Sequence, residues 1–252
     1  MKIRVSLALL ALLTGLATVL AAPAAADPGP VTAEDVHAAD ACYTWGRALS
    51  QGMTGDDVRQ LQIRVSGYPG YGAVIGLDGD FGPATRSAVI RFQQAYGLAA
   101  DGVAGPATFS KIYALQDDDC TPINFTYAEL NRCNSDWSGG KVSATTAKAN
   151  ARVTMWKLQA MRHAMGDRPI VVNSGFRSVA CNSAVGGSAT SRHMYGDAAD
   201  LGAGAQGFCN LARQARNHGF TEILGPGYPD HNDHVHVANR SGQFWSAPSC
   251  GI

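Results

Sequence analysis

The sequence has no CxxC pair, no run of basic residues and no GxSxG elbow, and its one long apolar stretch stops short of a membrane span. Each absence closes a class of function. Without CxxC spacing the six cysteines do not read as thiolate metal ligands. With twenty Lys and Arg balanced by twenty Asp and Glu, nothing suggests a nucleic-acid binder held by phosphate neutralisation. Charged residues are 16% of the 252 and hydrophobic ones 46%, too apolar for a disordered chain and enough for one or two packed domains. The missing elbow excludes an esterase-type serine hydrolase, and a penicillin-type serine peptidase is a weak rival.

What is present begins at the N-terminus. Lys2 and Arg4 precede an apolar run over 5–20, and the small residues 21–26 end in Ala-Ala-Ala before Asp27. This pattern predicts a secretory signal peptide over 1–26 rather than an anchor. The exported chain then carries 18 basic and 20 acidic residues, a formal charge of −2, together with all six cysteines. An even cysteine count in an exported chain predicts three disulfides. Pairing neighbours in sequence order, Cys42–Cys120, Cys133–Cys181 and Cys209–Cys250, respects the domain boundary argued next.

Residues 27–41, opening on Asp-Pro-Gly-Pro, read as a tail or pro-segment. From Leu49 the pattern is regular. Asp56 opens a helix with Val58, Leu61 and Val65 on one face; Pro83 opens a second through Phe92 and Tyr96, closed by Gly97; a third runs from Pro106 to Leu115. A phrase recurs 23 residues apart, Asp78-Gly79-Asp80-Phe81-Gly82-Pro83-Ala84-Thr85 and Asp101-Gly102-Val103-Ala104-Gly105-Pro106-Ala107-Thr108. Asp-Gly makes the turn and Pro suits the first helical position, so each copy is a turn feeding a helix. Two copies do not make a solenoid; they mark one small helical domain. The segment from Leu49 to Leu115, about a quarter of the chain, resembles the helical peptidoglycan-binding domain of wall hydrolases. Asp117-Asp118-Asp119, with Cys120 and Pro122, reads as a solvated break at the boundary, not a calcium loop.

In the second half, Ala147, Ala151, Met155, Leu158, Met161 and Met165 predict an amphipathic helix over 144–165, closed by Gly166. Ile170-Val171-Val172 predicts a strand that leads into Gly175-Phe176-Arg177-Ser178, and a further helix is expected over 208–217 with Phe208, Leu211, Ala212 and Ala215 inward. Helices alternating with short strands predict an α+β domain. Four of the seven histidines fall in two short segments, Ser191-Arg192-His193-Met194-Tyr195-Gly196-Asp197-Ala198-Ala199-Asp200 and His231-Asn232-Asp233-His234-Val235-His236. The strand period of two puts His234 and His236 on one face, with Val235 and Val237 on the other. Two imidazoles and a carboxylate would leave a zinc ion an open fourth position, as catalytic sites do. Spacing alone leaves Asp197, Asp200, Asp230 and Asp233 in competition for the carboxylate.

Ser191-x-His193-x-x-Gly196-x-Ala198-x-Asp200 resembles the SxHxxGxAxD signature of the zinc DD-carboxypeptidases and their relatives, the murein endopeptidases and D-Ala-D-Ala dipeptidases, and the second His segment follows at family spacing. The resemblance implies a hedgehog-like α+β catalytic domain over 121–252 behind a peptidoglycan-binding domain over 42–120. It implies zinc held by His193, Asp200 and His236, with Asp233, His231 and His234 as candidate general bases. Relatives carry Glu at the position of Asp233, one methylene longer. Arg177 is expected to meet the substrate and its developing negative charge, and Ser191 to bind substrate or support His193. The implied protein is a secreted, cell-wall-associated, monomeric zinc carboxypeptidase acting on peptidoglycan stem peptides. An endopeptidase of the same metal class and a non-catalytic wall binder with structural zinc are the alternatives.

Overall fold

The computed structural model describes residues 42–252 except 132, 134 and 135; the expected signal peptide and tail lie outside the described residues. Helices α1 (Asp56–Val65), α2 (Pro83–Ala95) and α3 (Pro106–Ala114) begin where the sequence pattern starts them, the last two with Pro in the first turn. Their apolar faces meet around Leu49, Leu61, Phe81, Phe92 and Ile112, all fully buried.

The two DGxxGPAT turns are built by one device used twice. Gln62 on α1 and Gln93 on α2 are buried, and each reaches into the turn that precedes the next helix. Gln62 Nε2 donates toward Asp78 Oδ1, the Asp80 carbonyl and Thr85 Oγ1 at 2.8, 3.0 and 3.1 Å, while its Oε1 accepts from the Gly79 amide at 2.9 Å. Gln93 repeats this with Asp101, the Val103 carbonyl, Thr108 and the Gly102 amide, at 2.9, 2.9, 3.1 and 2.9 Å. Gly79 and Gly102 stand at φ +74° and +76°, the left-handed region, which explains the glycine in each phrase. The motif is therefore a folding element. Gln93→Leu removes the acceptor of the Gly102 N–H and strands the polar groups around it, so a loss of about 2–3 kcal/mol is expected in a denaturant titration; a loss under about 0.5 kcal/mol would show that the network is idle.

The second half is built on α5 (Ala144–Ala164), capped at its start by Ser143, whose hydroxyl accepts from the Thr146 amide. One face of α5 carries Ala147, Ala151, Met155, Leu158 and Met161 into the core of the second half. The other face sends Val153, Trp156 and Ala160 into the core of the helical unit, which the sequence pattern did not foretell. His218 Nδ1 bonded to the Gly67 carbonyl at 2.7 Å adds a polar tie across the same joint.

Five strands form a sheet in the order β1-β2-β4-β3-β5: β1 (Val171–Ser174), β2 (Ala198–Gly202), β3 (Glu222–Leu224), β4 (Val235–Ala238) and β5 (Phe244–Ser246). All neighbours are antiparallel except β3 and β5. Short α4 (Tyr127–Leu130) precedes α5, short α6 (Val179–Ala184) follows β1, and α7 (Phe208–Ala215) covers the sheet with Leu211, Ala212 and Ala215 fully buried. The architecture is α+β as expected, although α4, α6, β3 and β5 left no periodic signal in the sequence. β1 begins one residue later than the apolar triplet and runs on to Ser174. The three disulfides join Cys42 to Cys120, Cys133 to Cys181 and Cys209 to Cys250, as sequence order suggested. Among the described residues no helix is long and apolar enough to cross a membrane.

Candidate metal centre

β2 and β4 run side by side with Asp200 directly opposite His236, so their side chains share one face of the sheet. His193 arrives from a 3-10 turn, Arg192–Tyr195, just ahead of β2. That turn ends at Gly196, at φ +77°, where a Cβ would strike the Ala147 carbonyl of α5. The glycine in the SxHxxGxAxD motif is thus what lets the chain turn back under α5 and deliver His193 beside Asp200.

All three side chains are buried, at 2% exposure for His193, 6% for Asp200 and 5% for His236. His193 Nε2 lies 3.0 Å from Asp200 Oδ1 and 3.1 Å from His236 Nδ1, and His236 Nδ1 lies 2.9 Å from Asp200 Oδ1. Three donors on tetrahedral bonds of about 2.0–2.1 Å stand roughly 3.3–3.4 Å apart, so a small expansion would turn this triangle into a zinc-type ligand set. The outer nitrogens fix the tautomers. His193 Nδ1 donates to the Gly175 carbonyl at 2.5 Å, and His236 Nε2 faces Glu222 Oε1 at 3.2 Å. Without a metal, burial lowers the pKa of His193; burial acts on His236 too, but hydrogen bonds to Asp200 and Glu222 outweigh it there and raise His236 to about 9. A bound metal would take the place of the inner proton, and each neutral imidazole would then turn a lone pair toward the same point. Burial alone would raise the Asp200 carboxyl, but the charges and hydrogen bonds of His193 and His236 hold it well below the usual carboxylate range. Asp200 is therefore an ionised ligand candidate. Among the described residues this trio is the group of three or more acids, histidines or cysteines close enough to share an ion.

The competing aspartates are elsewhere. Asp197 is buried but paired with Arg192 through Nε at 3.0 Å and through Nη2, and burial pushes it up to about 6. Asp230 sits at φ +60° in an exposed turn. Asp233 has 91% of its side chain in solvent and accepts from His234 Nδ1 at 2.8 Å. His234 lies just ahead of β4, with Nε2 3.7 Å from Asp200 Oδ1. His231 packs its ring 4.7 Å from that of His234, and its Nδ1 bonds the Pro229 carbonyl at 2.6 Å; burial lowers its pKa, favouring the neutral ring. Val235 and Val237 turn into the core, completing the two-faced strand expected from sequence.

Arg177 lies three residues past β1. Its Nε donates to Ser174 Oγ at 3.0 Å and its Nη2 to Asp200 Oδ2 at 2.5 Å, so it occupies the carboxylate oxygen that the histidines leave. It borders a cleft of about 340 Å³ that Asn173, Ser174, Gly175 and the Cys133–Cys181 disulfide also line. Ser191 precedes the His193 turn, half-buried, and its side chain does not cap it. The Ser-x-x-Lys spacing of penicillin-type peptidases does occur once, at Ser138-Gly139-Gly140-Lys141, but on an exposed turn where Ser138 Oγ bonds the Asp136 carboxylate. The sequence carries little sign of Glu222; its only trace is a lone acid before the apolar pair Ile223-Leu224.

The family profile described as Peptidase M15 matches residues 123–238, and that of a peptidoglycan binding domain matches 54–112. The zinc D-Ala-D-Ala carboxypeptidase of Streptomyces albus G is 78% identical over 218 residues, 86% of each chain. N-acetylmuramoyl-L-alanine amidase CwlM of Mycobacterium tuberculosis is 44% identical over 63 residues, 25% of this chain and 15% of that protein. A Burkholderia phage endolysin structure is 33% identical over 43% of this chain and 36% of its own, with a TM-score of 0.25.

Proposed function

This chain belongs to the family of the zinc D-Ala-D-Ala carboxypeptidases, and on that basis we propose that it hydrolyses the terminal D-Ala-D-Ala bond of peptidoglycan stem peptides. The observation that carries the reading is the buried triangle of His193, Asp200 and His236, set in a chain 78% identical to such an enzyme. Those three residues would hold one zinc ion. When bound there, zinc supplies Lewis acidity toward a carbonyl and makes water nucleophilic near neutral pH.

The chain's own groups do the rest. Arg177, fixed by Ser174 and Asp200 at the edge of the cleft, presents a planar guanidinium to a substrate carboxylate or to the charge that develops on the scissile oxygen. Ser191 at the mouth of the His193 turn supplies a hydroxyl to the substrate. Asp233 and His234 act as a pair: the carboxylate orients the imidazole through Nδ1, which leaves Nε2 turned toward Asp200 to take a proton and return it to the leaving amine. His231 stands beside them as a neutral ring able to share that proton.

Residues 42–120 form the wall-binding part and 121–252 the catalytic part of a secreted monomer. Binding to the wall raises the local concentration of stem peptides at the cleft.

The test is product analysis on defined muropeptides. Release of D-alanine from stem peptides ending in D-Ala-D-Ala is expected. Cutting of cross-bridges with no D-alanine release would move the protein to the endopeptidases, and no cleavage of any peptide would leave a wall-binding protein.

A further inference from the structure

The two imidazoles at the metal centre are held by different means. His193 leans on a main-chain carbonyl, that of Gly175, which no substitution removes. His236 leans on a side chain. β3 pairs with β4 so that Leu224 faces His236 and Glu222 faces Ala238; Glu222 is therefore the diagonal neighbour of His236 on the same face of the sheet.

We propose that Glu222 is a positioning residue for His236: its carboxylate accepts the Nε2 proton and so leaves the Nδ1 lone pair for a metal ion shared with Asp200 and His193. The inference rests on the metal centre proposed above. Glu222 Oε1 lies 3.2 Å from His236 Nε2, and Oε2 accepts from Arg240 Nη1 at 2.6 Å. Arg240 is itself located by main-chain bonds, its amide donating to Thr221 Oγ1 at 2.7 Å and its carbonyl accepting from the same hydroxyl at 2.9 Å. The Glu222 side chain is 14% exposed while that of Arg240 is 42% exposed. A carboxylate serving only a surface ion pair would stay in water, because burying it costs free energy that an exposed partner does not return. Its position between a solvent-facing guanidinium and a buried imidazole fits a different task. It fixes which nitrogen carries the proton and how the ring is rotated, and Arg240 offsets its charge. Outer partners of this kind typically alter metal affinity by about 10–100-fold.

The experiment measures zinc alone. The metal-stripped full exported chain is titrated against a chromogenic zinc chelator at one pH, for wild type, Glu222→Ala and Glu222→Gln. The expected result is a zinc Kd about 10–100-fold higher for Glu222→Ala, with Glu222→Gln within about threefold of wild type because its amide oxygen still accepts the Nε2 proton. A rise of less than about tenfold in Glu222→Ala, or a Glu222→Gln variant as weak as Glu222→Ala, overturns the proposal. Should Glu222→Ala fail to fold, Glu222→Met, similar in length and without an oxygen acceptor, takes its place under the same criteria. Since no peptide enters the assay, failure here leaves the D-alanine reading standing, and failure of that reading leaves this result standing.

Discussion

Stripping the protein with a chelator is expected to abolish D-alanine release, and added zinc to restore it, while the chain stays folded at room temperature. The expectation combines two features of the structure. The three candidate ligands are buried and share one point, so no other described group is placed to take over their role. The fold, by contrast, does not hang on that point: two apolar cores and three disulfides carry it. Metal removal should therefore cost activity by roughly 10⁴-fold or more, and lower the thermal midpoint only by the linkage contribution of a lost ligand. His193→Ala and Asp200→Asn should reproduce the loss without rescue by zinc. Full activity in a metal-free preparation would reject the mechanism. A chain that unfolds on chelation would favour a structural ion instead.

The second large effect concerns Asp233 and His234. If they work as one unit, Asp233→Ala and His234→Ala should each lower kcat by about 10²–10⁴-fold with zinc content unchanged. The double variant should be little worse than the poorer single variant, because groups acting as a unit do not add. Asp233→Asn separates the roles: its amide oxygen can still accept from His234 Nδ1, so a kcat well above that of Asp233→Ala would make Asp233 the orienting group and His234 the base. Equal losses in the Asn and Ala variants would make the Asp233 carboxylate itself the base. Normal cleavage by Asp233→Ala would remove the pair from the chemistry.

The geometry also bears on the shorter side chain that Asp233 brings to a position held by Glu in relatives. Here the carboxylate stands in solvent and touches His234, whose Nε2 is the atom nearer the ligand triangle. In the proposed mechanism, an imidazole oriented by Asp233 would do the reaching that a longer carboxylate does itself.

Much of this was present in the linear sequence, where short-range chemistry decides. Pro83 and Pro106 start helices because a missing N–H is harmless in the first turn, and the DGxxGPAT turns follow from glycines at positive φ. The two histidine segments stood out because a ten-residue motif and a His-x-His strand are local patterns, and the resemblance to the family with the SxHxxGxAxD signature named His193, Asp200 and His236. The sequence by itself thus determined the longer helices, the DGxxGPAT turns, the two histidine segments and the cysteine order. Four things needed the tertiary structure, because each depends on residues far apart in the chain meeting across a fold. These are the choice of Asp200 over Asp197 by register against His236, the capture of Arg177 by Asp200, the seating of Trp156 in the core of the helical unit, and the reach of Glu222 to His236. A strand as short as Glu222–Leu224 has no periodicity to read, so only its pairing with β4 reveals what its one acid is for.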